Sequence, residues 1–217
     1  MPELIIEVLP YAAGVFASPL PVIIAIVMLF TPTPRPTSFT YVATWVTGLT
    51  VVTVVLSLLA GRLEGAQGGG GWAAWVRIGL GVVVVAIAAR TWLGRREQST
   101  PPWLSALMDA GPREAVRYGV LMSAANPKEL LMALAAALAI GASDAGTSAS
   151  AVAIAVFVLV GAASVISPLV VFVVGGDATL ARLEKARDWL QTNSVAVASG
   201  VLAAIGVLLV VGGLTKL

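Results

Sequence analysis

The segment Asn126-Pro127-Lys128-Glu129-Leu130-Leu131 stands inside an apolar run that extends from about Tyr118 to Ile140. Two penalties fall on it together. An ionised side chain at the centre of a bilayer costs about 2.5–3.5 kcal/mol on insertion scales. Pro127 removes a backbone N–H and leaves the Ser123 carbonyl without its helical partner. A membrane chain that keeps both at one point is expected to use that point.

The composition around this segment is that of a membrane protein. Of 217 residues, 59% are hydrophobic and 11% charged, with a mean hydropathy of +0.97. Soluble domains carry roughly 25% charged residues. The formal charge of +2 carries less information than its distribution. Cys and His are absent, which excludes disulfides, thiol redox chemistry, Cys/His zinc sites and histidine general-base catalysis. No acidic cluster stands at metal-ligand spacing, and no Gly-x-x-x-x-Gly-Lys-Ser/Thr phosphate loop occurs. Neither a cofactor nor a nucleic-acid partner is therefore expected. The first residues are acidic (Glu3, Glu7) and the apolar run continues to Phe30, unlike a cleavable signal with its basic flank. The excess of Arg over Lys with abundant Ala, Val and Gly points to a GC-rich bacterial genome and hence to a plasma membrane.

A spanning helix needs about 20 mostly apolar residues. Six stretches qualify, roughly Glu3–Phe30, Phe39–Ala60, Trp72–Trp92, Arg117–Ile140, Ser150–Val174 and Ser194–Gly212. Thr31 to Pro36 reads as a short extended link, Gly65 to Gly71 as a glycine-rich turn, and Gly141 to Ser150 as a small polar loop. The links after the first, third and fifth spans hold Arg35, then Arg95, Arg96, Arg113 and Arg117, then Arg182, Lys185 and Arg187. On the other side stand Arg62 and Lys216. Positive residues favour the cytoplasm, so both termini are expected outside. Arg77 and Arg90 read as interfacial anchors.

Two cytoplasmic links carry amphipathic patterns. Trp103, Leu104, Leu107 and Met108 share one helical face after Thr100-Pro101-Pro102. Leu180, Leu183 and Leu190 share another within Asp177 to Gln191. Both match helices that lie along the inner leaflet, or helices that cap the bundle. Gly48, Gly79 and Gly81 fit close helix packing, and the uncharged last span fits a lipid-facing scaffold.

The first span has its own interruption, Ser18-Pro19-Leu20-Pro21. Pro19 frees the carbonyl of Val15 and Pro21 that of Ala17. Corresponding breaks in the first helix of each half point to a central site in inverted-repeat transporters. The chain thus reads as one all-α membrane domain, residues 1–217, of six transmembrane helices. Its expected architecture is a 3+3 inverted repeat (1–93 and 117–217) around the amphipathic link 94–116. Ser164, Ser167 and Pro168 in the fifth span interrupt a helix that would line the same cavity. Candidate substrate or ion ligands are Ser18, Pro19, Pro21, Asn126, Pro127, Lys128, Glu129, Ser167 and Pro168. The structural alternatives are proline kinks satisfied by neighbouring helices, and a Lys128–Glu129 pair that neutralises itself. Adjacent helical residues point about 100° apart, so that pair is poorly placed to meet. A Ser-Lys dyad built from Ser18, Ser123, Ser164 or Ser167 with Lys128 lacks any oxyanion-hole signature, and no enzymatic activity is expected.

Six spans, a proline motif in the first and Asn-Pro-Lys in the fourth resemble the LysE-like exporter superfamily. Ser18-Pro19-Leu20-Pro21 with Asn126-Pro127-Lys128-Glu129-Leu130-Leu131 is most similar to its Sap/GAP branch, named for moving sulfolipid and glycopeptidolipid to the mycobacterial surface. Amino-acid exporters of the superfamily carry Pro-Gly-Pro where this chain has Pro19-Leu20-Pro21, a departure that favours the lipid-associated branch. The resemblance carries over Pro19, Pro21, Asn126, Pro127 and Lys128 as site residues; a role for Glu129 rests on its chemistry. It implies a secondary transporter of a glycolipid, sulfolipid or similar amphipathic substrate, driven by the proton gradient. The alternatives are an exporter of amino acids or other small polar metabolites, and an accessory scaffold of a lipid-export assembly. Membrane lipids, an amphipathic substrate and lipid-synthesis or export machinery are the partners implied. Glycine-lined faces are compatible with a homodimer.

Overall fold

Proline placement explains where five of the eight described helices begin. In a computed structural model describing residues 2–66, 72–93, 107–141, 143 and 145–214, α1 (Pro2–Phe16) ends just before Ser18, and α2 (Pro19–Val27) starts on a proline. A tight 3-10 turn, Met28–Phe30, follows. The next elements are α3 (Pro34–Ala66), α4 (Trp72–Leu93) and a 3-10 turn at Leu107–Asp109. Then come α5 (Pro112–Val120), a π-turn (Leu121–Ala125) and α6 (Pro127–Gly141). The chain finishes with α7 (Gly146–Gly175), a 3-10 turn (Gly176–Thr179) and α8 (Leu180–Leu214). No strand occurs among the described residues, so the all-α class holds.

A residue before proline is pushed out of the helical region into extended backbone. Ser18 (φ −88°, ψ 105°) and Asn126 (φ −73°, ψ 116°) both obey. Proline itself suits the first helical position, where its missing N–H costs nothing. Each break is therefore an end and a fresh start, and α1 and α2 are bent by 50°. Asn126 reinforces its start, because its side-chain oxygen accepts the Lys128 N–H at 3.1 Å. The Ser18 side chain makes no such cap.

Packing pairs the elements across the sequence. α1 lies on α7 and α5 on α3; α2 meets both α7 and α8, α6 meets both α3 and α4, and α4 lies along α8. Glycines set three of these approaches. A Cβ on Gly81 of α4 would sit 2.8 Å from the Gly206 carbonyl of α8, and one on Gly206 would sit 3.0 Å from the Gly81 carbonyl. Gly161 of α7 faces Val15 of α1, and Gly48 of α3 faces the Ser123 hydroxyl at the start of the second break. Gly79 meets nothing and does not serve helix packing as expected.

Large apolar side chains cover the outside, among them Leu58, Leu93, Leu159 and Val174, as a bilayer permits and water would not. Two helical stretches, Pro34–Arg62 and Gly146–Gly212 (the latter running from α7 through the 3-10 turn into α8), are long and apolar enough to cross a membrane among the described residues. Counting the bent pair Pro2–Phe16 with Pro19–Phe30 makes three, and Ile78–Leu93 is apolar but shorter. The protein is a membrane protein.

Several expectations need correction. The Thr31 to Pro36 link is shorter than expected, because Pro34 and Pro36 belong to the first turn of α3. Of the two readings of Asp177 to Gln191, the packing follows the bundle cap and not the inner-leaflet helix. The segment is a 3-10 turn plus the opening of α8, and Leu180, Leu183 and Leu190 pack with Ile26, Leu29 and Phe172. Leu107 is fully buried in the main core rather than turned to lipid; Trp103 and Leu104 lie outside the described residues. The last span is half scaffold and half core, since Leu202, Ile205 and Leu209 are buried. The end of α2, the turn at 107–109, the end of α7 and the start of α8 meet at one end of the bundle. There the Arg187 guanidinium stands 5.7 Å over the Phe30 ring.

Candidate functional site at the paired helix breaks

Every orphaned carbonyl at a helix break needs a donor. The Val15 carbonyl, freed by Pro19, accepts the Ser18 N–H at 3.0 Å. The Ala17 carbonyl, freed by Pro21, accepts the Lys128 ammonium at 3.2 Å. The first break is therefore completed by a charge from the second.

The charged groups of Lys128 and Glu129 are not in direct contact. They form no ion pair within 4.0 Å, and as neighbours on a helix they diverge. Lys128 is half-buried, whereas Glu129 is fully buried at 0% exposure. Neither carboxylate oxygen of Glu129 has a hydrogen-bond partner. The Lys128 ammonium and Tyr41 are close enough to act on it electrostatically and the Ser18 hydroxyl approaches it, yet none forms a hydrogen bond of good geometry with it. Glu129 occupies the third position of α6. There a capping carboxylate would turn back to the N–H before the helix, and the partial positive charge of the helix start is strongest. It does not turn back.

Tyr41 is the member of this cluster that the sequence did not announce. It is fully buried on α3, and its hydroxyl donates to the Pro21 carbonyl at 3.0 Å. A buried tyrosine ordinarily finds a partner for its hydroxyl, but nothing in the linear order says which. Trp45, one turn further along α3, is also fully buried with its indole N–H unpartnered.

The predicted site residues thus divide. Ser18, Pro19, Pro21 and Glu129 are buried, Asn126 and Lys128 half-buried, and Pro127 exposed at the helix start. Lys128 and Glu129 are brought to the first break from 111 residues away. Ser167 does not join them: it is exposed, and its hydroxyl donates to the Ser164 carbonyl of its own helix at 2.9 Å. Pro168 is buried within α7, and the Ser164 hydroxyl is buried without a partner. No group of three or more acidic side chains that could hold a metal occurs among the described residues.

A helical membrane bundle with two facing breaks, one supplying a carbonyl and the other an ammonium and an unpartnered carboxylate, defines the class. The family model described as "Sap, sulfolipid-1-addressing protein" matches residues 8–215, and the chain belongs to that family. Neither the curated proteins nor the solved structures yield a match.

Proposed function

We propose that this protein is a secondary transporter that moves an amphipathic, lipid-like substrate across the plasma membrane, with Lys128 and Glu129 as its working groups. One observation carries the reading. A carboxylate is held fully buried without a hydrogen bond, beside an ammonium that closes the opposite helix break. Leaving a buried charged group unsatisfied is costly, and such a group in a membrane helix is a functional site by default. In the cycle Glu129 takes a proton or a new partner, and Lys128 exchanges the Ala17 carbonyl for a substrate phosphate, sulfate or carboxylate. Family membership supports a lipid-like cargo.

The helix pairing supports six spans arranged as an inverted repeat. Exchanging α1 for α5, α2 for α6, α3 for α7 and α4 for α8 turns the α1–α7 contact into α5–α3. The same exchange turns α2–α8 into α6–α4, and α4–α8 into itself. Gly161 against Val15 and Gly48 against Ser123 are related in the same way. Elements bearing Arg35, Arg113, Arg182 and Lys185 meet at one end of the bundle, which supports placing that end in the cytoplasm. The alternative of a recruiting scaffold gains no support from Leu107, whose side chain is enclosed.

Reconstituted vesicles test the proposal. With an imposed proton gradient, labelled lipid should cross with the unaltered protein and fail to cross with Lys128→Ala. Glu129→Gln should remove the response to the gradient. Normal transport by both variants would exclude this mechanism.

A further inference from the structure

A second site lies well away from the breaks. A cavity of about 860 Å³ opens between the later half of α3, the end of α6 and the start of α7. It is within the ~300–1,000 Å³ range of small-molecule sites. Its floor reaches Ile140, eleven residues along α6 from Glu129, or about 16 Å at the helical rise. The two sites are separate.

The cavity is amphipathic along its length. Val54, Val158 and Ile154 form apolar walls, and the exposed Leu58 and Leu159 edge an opening toward the lipid phase. Toward the ends of the helices the lining becomes polar, with Arg62, Ser143, Thr147 and Ser150. Among the described residues no acidic side chain lines it, and Arg62 has no ion pair. Ser143 and Ser150 donate to carbonyls of their own segments and keep oxygen lone pairs free. Ser57 behaves differently. Its neighbours Thr50 and Thr53 donate to carbonyls one turn back on α3, at 2.8 Å each. Ser57 lines the cavity at 8% exposure, with its hydroxyl oxygen buried behind the surface and without a partner.

We infer that this cleft holds one anionic membrane lipid. Its charged head group is held by Arg62 at the mouth, and its linkage region and an acyl chain lie along Ser57 and the apolar walls. Entry is lateral, between Leu58 and Leu159. An arginine near a helix end suits a phosphate at the membrane surface, and the apolar walls suit a hydrocarbon chain. The inference rests on the chain being a membrane protein, not on the transport chemistry at Lys128 and Glu129.

Native mass spectrometry of the purified full chain, titrated with phosphatidylglycerol or phosphatidylcholine, tests it. The expected result is one retained phosphatidylglycerol, preferred over phosphatidylcholine by about tenfold or more, the scale of one charge-assisted contact. Arg62→Gln should abolish the preference, and Ala155→Trp, which fills the cleft, should abolish retention of both lipids. Lys128→Ala and Glu129→Gln should retain lipid as the unaltered protein does, so failure at one site is distinguishable from failure at the other. Absence of a retained lipid, equal retention of the two, or an undiminished preference in Arg62→Gln would each overturn the assignment.

Discussion

The Lys128 ammonium donates to the Ala17 carbonyl at 3.2 Å, joining two helix breaks that lie 111 residues apart. Hydrogen bonds to charged groups are worth about 1.5–3 kcal/mol net, so the bond is strong enough to govern whether the junction opens. Lys128→Met keeps the length of the side chain and removes the donor. Hydrogen exchange at the amides of Val22 to Ile26 should then accelerate by about tenfold or more, at 1.4 kcal/mol per factor of ten. Lys128→Arg should preserve most of the protection. Exchange unchanged in Lys128→Met would show that the bond contributes nothing to closing the junction.

Much of this junction was legible in the sequence. Proline chemistry identifies Ala17 as an orphaned carbonyl, places breaks before Pro19 and Pro127, and makes Lys128 and Glu129 diverge. These are local consequences of covalent structure. The partner of Ala17 was not legible, nor was the Tyr41 hydroxyl on the Pro21 carbonyl, because both depend on how distant helices dock. The leucines of Asp177 to Gln191 show the complementary failure. Periodicity places them on one face whether that face meets lipid or protein, and the docking of α8 on α2 and α7 decided for protein. The cleft under Ser57 is assembled from three separate helices and leaves no local signature.

The crossing of α4 and α8 provides a steric prediction. A Cβ on Gly206 would lie 3.0 Å from the Gly81 carbonyl and 2.5 Å from a methyl of Val85. Gly206→Ala should destabilise by about 1–3 kcal/mol, the usual cost of overpacking. Gly79→Ala, two residues from Gly81 but facing open space, should be neutral or stabilising by up to about 1 kcal/mol through helix propensity. Thermal unfolding in one detergent, with the variants side by side, measures both. Equal effects would mean that the helices do not cross at these glycines.

The start of α5 carries a pH-dependent cap. Hydrogen bonds from the backbone N–H of Glu114 itself, and from Gly111 at 2.9 Å, hold the Glu114 carboxyl below the usual carboxylate range. A depressed folded-state value means that the ionised form supports the fold. This support is complete at neutral pH and fades as the pH drops through the lowered value. Glu114→Ala should fray the first turn of α5 at neutral pH. In acid the variant and the unaltered protein should converge. Amide exchange at Ala115 and Val116 along a pH series, corrected for intrinsic rates, reads this directly, and a gap between them that widened in acid would contradict the cap.

Glu129 should separate stability from function. Its two oxygens are buried with no hydrogen-bond partner, and each unsatisfied buried polar group costs about 1–3 kcal/mol. Glu129→Leu removes both oxygens and retains a side chain of comparable bulk, so the bundle should become more stable. At about 2–4 °C per kcal/mol for a chain of this size, the unfolding midpoint should rise by several degrees. Glu129→Gln keeps two polar atoms and should shift it less. Transport should fall in both variants, because neither can exchange a proton or carry the charge. Gain of stability with loss of activity is the expected signature of a group retained for work rather than for folding. A lower midpoint in Glu129→Leu would identify the carboxylate as structural, and the proton-carrying role would then have to be sought on another residue.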